Sequence, residues 1–223
     1  MTETLTLTWP LAVGLVAAVA VSPLSAAWTA ALADGQRVGW WRPRAVSAGR
    51  WVTVTAVTVA LVVLAAAGTP PVAWWLLAVG GGVLAVVDAQ TQLLPARLTY
   101  PLAGAIAATL IGAAVTGGDA EPLLRAALAA LTVGALWFAV CFLSPRTTGL
   151  GDVRLAALTS GVLGWVSWAD AWQGQVLALL FAGLTAVAMA LTNRRGTRRG
   201  LRRLVTVPMG PAMIAGSVLA LWL

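Results

Sequence analysis

The chain has no histidine, no lysine and one cysteine, and only seven acids among its 223 residues. Each scarcity closes a class of function. Without histidine there is no Ser–His or Cys–His nucleophile pair, and the commonest metal ligand is missing. One cysteine, Cys141, allows neither a disulfide framework nor a cysteine zinc site within the chain. It lies in an apolar run, where cysteine behaves as a small buried hydrophobe. No metal and no cofactor are therefore expected, and any hydrolytic chemistry has to rest on carboxylates. The absence of lysine accompanies abundant Ala, Val, Gly and Arg and reads as a coding bias rather than a functional signal.

What is plentiful is apolar surface. The chain is 60% hydrophobic and 9% charged, with a mean hydropathy of +0.90, too apolar throughout for a soluble domain. Runs long enough to cross about 30 Å of hydrocarbon lie near 9–33, 51–67, 72–92, 98–116, 122–143, 153–168, 173–192 and 205–222. The expected fold is all-α: a polytopic transmembrane bundle of about eight spans, forming one integral-membrane domain over 1–223. The N-terminus has no basic flank before its apolar run, so that run reads as a retained helix rather than a cleaved signal.

Arginines set the orientation. Residues 34–50 hold four of them and one acid, which places this short loop in the cytoplasm and the N-terminus outside. The loops then alternate consistently. Thirteen arginines fall inside, including the run in 193–203, and only Arg125 falls outside; Glu3, Asp119, Glu121 and Asp170 are outside acids. Both termini are expected outside. Most tryptophans sit at one interface or the other, as an aromatic belt requires, and Trp137 is the exception within a span. The basic loops are topological markers that attract anionic lipid at the inner face. Nucleic-acid binding is not expected.

Two acids lie where apolar runs meet the inner boundary. Asp152 stands in GLGDVR (149–154), at the start of a span. It reads either as an N-terminal helix cap or as an intramembrane functional acid, which is costly and rarely idle. Asp88 closes the run WWLLAVGGGVLAVV, the end of a helix where the dipole disfavours an acid, so capping of its own helix does not account for it. Behind Asp88 lie Ala85, Gly81 and Ala78; ahead of Asp152 lie Ala156, Ser160 and Gly164. Such small-residue stripes let membrane helices approach closely, and if the two stripes face one another the carboxylates meet. VPMGPAM opens the last span, where the prolines mark either an ordinary helix start or irregular backbone able to pair with an extended peptide.

DAQTQLLPARLTYPL, GLGDVRLAAL and VPMGPAMIAG, in that order, resemble the signature stretches of the type IV prepilin peptidases, a branch of the GxGD membrane aspartyl proteases. The resemblance implies an aspartic endopeptidase of the bacterial plasma (inner) membrane, with its active site at the cytoplasmic face, cutting the leader from prepilins or pseudopilins. It implies Asp88 and Asp152 as the catalytic pair, with Gly149, Gly151, Pro208, Gly210 and Pro211 toward the substrate. Two departures stand out. Relatives with a cysteine-rich insert after the first span also methylate the new N-terminus, whereas residues 34–50 here hold no cysteine, so zinc is not expected and methyltransferase activity is doubtful. Family members also often carry acids where this chain has Gln90 and Ala96.

Two carboxylates within a few ångströms share one proton and titrate as a unit. One takes a proton from water while the other polarises the peptide carbonyl. On dipole grounds Asp152 is expected to be the carboxylate and Asp88 the proton holder. The rival readings are a GxGD protease acting on other membrane segments, and a non-catalytic transporter or scaffold using intramembrane acids.

Overall fold

The computed structural model describes scattered positions between 12 and 27, then residues 47–65, 70–92, 94–144, 148–193 and 207–223. Most of the 34–50 loop and nearly all of the basic 193–203 stretch lie outside the described residues. The described residues are helical with short connections and no strand: α1 (Ala48–Leu64), α2 (Pro71–Thr91), α3 (Ala96–Gly117), α4 (Glu121–Leu143), α5 (Leu150–Val166), α6 (Trp168–Asn193) and α7 (Met209–Ala220). The described positions between 12 and 27 are also helical. Four helices are long and apolar enough to span a membrane alone: Val72–Thr91, Ala96–Gly117, Glu121–Leu143 and Trp168–Leu191. The chain is an all-α membrane bundle, as its hydropathy indicates.

Local chemistry sets the ends. Proline opens α2 and α3: Pro70 is the N-cap of α2 with Pro71 at its first helical position, and Pro95 is the N-cap of α3. Proline suits these places because helix-start N–H groups have no intrahelical partner. The α2–α3 turn is closed by Gln92 in a left-handed conformation (φ 54°), its N–H donating to the Asp88 carbonyl at 2.8 Å. A non-glycine residue there carries strain of about 1 kcal/mol or more. α5 starts at Leu150, earlier than hydropathy marks, because Gly149 caps it and GLGD forms its first turn. α5 and α6 are separated by Ser167 alone. Its hydroxyl accepts the Asp170 N–H at 3.0 Å and donates to the Asp170 carboxylate at 2.6 Å, a capping arrangement that starts α6 at once.

The bundle packs through small residues, since lipid leaves no hydrophobic drive between helices and close backbone approach must supply the cohesion. α4 pairs with α5, α6 with α7, and α7 also lies against α2 and α5. A Cβ at Gly216 of α7 would sit 2.6 Å from the Ala178 nitrogen of α6, and one at Gly164 of α5 would meet the Ala129 Cβ of α4 at 2.5 Å. Polar groups add specific links. Trp137, the tryptophan out of place in the belt, donates from Nε1 to Gln175 Oε1 at 3.0 Å. The Gln175 amide donates in turn to Ser160 at 3.0 Å and Thr159 at 3.3 Å. This buried chain joins α4, α5 and α6 and satisfies a glutamine that apolar surroundings would otherwise penalise.

Arg125, the arginine that positive-inside counting leaves outside, has a structural post. It bonds Glu121 at 2.8 Å and donates to three carbonyls at the end of α5: Gly164 at 2.8 Å, Trp165 at 2.7 Å and Val166 at 3.0 Å. Those are carbonyls a helix C-terminus leaves without partners, and a cation there also suits the dipole.

Gly216→Val is expected to cost about 1–3 kcal/mol through overpacking, lowering the thermal unfolding midpoint in detergent. Gly183→Val on α6, where an added side chain meets nothing within 4 Å, leaves the midpoint near wild type.

Candidate active site

The two acids come to one end of the bundle by different routes. Asp88 occupies the last turn of α2, where the alternation of glycine and alanine behind it leaves that face thin. Its neighbour across the thin face is α7: a Cβ at Gly81 would meet Ile214 Cδ1 at 2.6 Å. One turn before Ile214, Gly210 lies against Asp88 itself. Its N–H donates to Asp88 Oδ2 at 2.7 Å, across 122 residues of sequence. Pro208 and Pro211 flank this position and have no N–H, so α7 begins with few donors. Asp88, 4% exposed, receives one of them. A Cβ on residue 210 would stand 3.0 Å from both Asp88 Cβ and Oδ2, so a side chain there would push the carboxylate aside by a few tenths of an ångström.

Asp152 is the third residue of α5, and its Oδ2 accepts the Gly149 N–H at 3.0 Å while its own N–H reaches the Gly149 carbonyl at 3.0 Å. It therefore does cap its own helix, in the reach-back manner of an acid in the first turn. Gly151 brings this turn against the α2–α3 connection: a Cβ there would meet Leu94 Cβ at 2.6 Å. The LLP and GLGD stretches thus touch. Through the Gly210 bond and the Gly151–Leu94 contact the two carboxylates come to the same end of the bundle. One oxygen of each acid is engaged by a backbone N–H, and among the described residues no hydrogen bond reaches the other oxygen. No arginine pairs with either acid among the described residues; Arg154 lies instead over the Tyr100 ring, 5.1 Å from its centre. Nor is there a cluster of three metal-binding side chains among them.

The geometry departs from the sequence reading in two respects. The small-residue stripes do not face each other. Gly81 and Asp88 look onto α7, Ser160 onto α6 through Gln175, and Gly164 onto α4. α2 and α5 touch only slightly, with α7 bridging them. Nor does the helix dipole distinguish the acids. Asp88 ends its own helix but sits at the N-terminal turn of α7, so both carboxylates accept a helix-start N–H, and the ground for giving them different proton roles is lost.

The residues expected near substrate are also placed. Gly149 is exposed beside Asp152, Gly151 is packed on Leu94, and Gly210 is committed to Asp88. Pro208 caps α7, and Pro211 stands half-buried in its first turn. The Asp88–Gly210 bond was not legible in sequence; the only signal for it is a glycine between two prolines at the depth of an acid.

A family model described as the type IV leader peptidase family matches residues 72–191. The chain belongs to this family. The matched region contains both acids and runs from α2 almost to the end of α6. No curated protein and no solved structure matches the chain. Membership of the type IV leader peptidase family makes the chain a membrane peptidase of the leader-removing kind.

Gly210→Ala should shift the Asp88 carboxylate by a few tenths of an ångström and lower kcat for leader cleavage by roughly ten-fold, less than the roughly 10²-fold that a full ångström of misplacement costs. Gly149→Ala, whose Cβ finds its nearest neighbour at 3.8 Å, should leave the acids in place and give a far smaller loss.

Proposed function

We propose that the protein is an aspartic endopeptidase that removes the leader of type IV prepilins or pseudopilins at the cytoplasmic face of a bacterial plasma membrane. One observation carries the reading. Asp88 and Asp152, from helices far apart in sequence, stand at one end of the bundle, each with one oxygen held by a backbone N–H.

The chemistry follows from two carboxylates with one proton between them. The ionised acid takes a proton from a water molecule, and the oxygen of that water bonds to the carbonyl carbon of the scissile peptide. The protonated acid gives its proton to the carbonyl oxygen, forming a neutral tetrahedral diol. Collapse of the diol breaks the C–N bond as a proton passes to the leaving nitrogen, yielding a carboxyl and an amine. No covalent intermediate is required. Backbone bonds hold one oxygen of each acid, so that the others face the substrate without rearrangement, the benefit of preorganisation.

Exposed Gly149 offers a place for the substrate backbone to lie beside Asp152, while Gly151, Pro208, Gly210 and Pro211 support the reading as the frame around the acids. The arginine loops, whose charge faces anionic lipid, favour the cytoplasmic side for this end of the bundle. Cleavage without methylation of the new N-terminus fits the lack of cysteine in residues 34–50.

Purified protein should cut a prepilin leader peptide, and Asp88→Asn and Asp152→Asn should each abolish cleavage while retaining the wild-type elution profile in detergent. Activity surviving in either variant would end the two-aspartate scheme. A preference for leftover signal peptides over pilin leaders would move the enzyme to another substrate class. Mass spectrometry of the mature product should show an unmodified N-terminus.

A further inference from the structure

Away from the acids, α3, α4 and α5 enclose a groove of ≈ 530 Å³. Its walls are apolar, with Ile106 and Leu110 from α3, Ala126 and Ala130 from α4, and Ala157 and Gly161 from α5. The exceptions gather at one mouth, at the acid-bearing end, where Thr99, Tyr100 and Arg154 stand. α3 meets α4 and α5 only lightly, so the groove lies in a loosely packed corner of the bundle. We propose that it is a binding site for one anionic phospholipid of the leaflet on the acid side, with the headgroup phosphate at Arg154 and an acyl chain along the groove.

Charge, length and direction agree on this occupant. Arg154 has no carboxylate partner among the described residues; its guanidinium rests on the Tyr100 ring at the groove mouth. A guanidinium there is suited to bidentate contact with phosphate. Along α3 the lining runs from Thr99 to Ile111, about 18 Å at about 1.5 Å per residue. That is close to the depth of one leaflet and well short of the roughly 30 Å needed by a spanning helix. Direction separates the groove from the acids. With about 100° per residue, Arg154, Ala157 and Gly161 lie on the far side of α5 from Asp152. A substrate helix placed here would have to pass around the end of α5 to bring its peptide bond to the carboxylates. A lipid has no such requirement.

The inference does not depend on the peptidase reading, because its readout is lipid occupancy. Detergent-solubilised protein titrated with dioleoyl phosphatidylglycerol or dioleoyl phosphatidylcholine, and followed by native mass spectrometry, is expected to retain one phosphatidylglycerol with about five-fold preference, the scale of one basic residue at an anionic surface. Arg154→Gln should erase the preference and Arg154→Lys should retain it. Ala107→Trp or Ala127→Leu, each filling the groove, should lower occupancy by both lipids; either variant serves if the other does not elute as a single species. An unchanged preference in Arg154→Gln, or unchanged occupancy in a well-behaved groove-filling variant, would overturn the site. Displacement of the bound lipid by a leader peptide extended through its apolar segment would assign the groove to the substrate instead and overturn the lipid reading.

Discussion

The bond from the Gly210 N–H to the Asp88 carboxylate is the constraint on which the rest of the site depends. It joins the end of α2 to the beginning of α7, and α7 lies against both acid-bearing helices. Removing either partner would leave a buried donor or a buried acid unsatisfied, at a cost of about 1–3 kcal/mol or more. The tight fit of glycine at 210 follows from the same contact. So does the thin face of α2 behind Asp88, without which α7 could not come near enough to donate. An acid that looks misplaced when its own helix is considered alone is well placed once its neighbour is included.

Asp152 is built on a different principle. Its support is local, from the glycine three residues earlier, and the turn is then set against Leu94 of the preceding connection. One acid is therefore fixed by tertiary packing and the other mainly by secondary structure. The stretches LLP and GLGD turn out to be the two sides of a single contact. What they share is backbone proximity, and in this chain that proximity falls on Gly151, where any side chain would collide with Leu94.

Much of this architecture was legible in the sequence because a membrane imposes so simple a code. Apolar length gave the helices, and the two acids at one boundary gave the candidate site. The ends were less legible where capping overrode hydropathy: α5 begins at Leu150 because Gly149 and Asp152 close its first turn, and α7 waits until Met209 because Pro208 precedes it. Partner choice was not legible at all. A stripe such as Ala78, Gly81 and Ala85 announces that something comes close, but small residues carry no address, and the neighbour proved to be α7 rather than α5. Gln175 shows the converse. It looks like a lone polar residue in an apolar run, and only its three partners on two other helices explain its presence. Arg125 was read as an exception to a charge rule, and its reason, the bare carbonyls of α5, lies about forty residues further along the chain.

That clasp at the far end of α5 has a mechanical corollary. With three carbonyls gripped by one guanidinium and only Ser167 separating it from α6, the helix is anchored at the end away from the acid. The other end is braced as well, by Gly151 against Leu94, so the place of Asp152 is dictated by where α4 and the α2–α3 turn stand, and a change in either neighbour would be passed to the carboxylate without α5 itself bending.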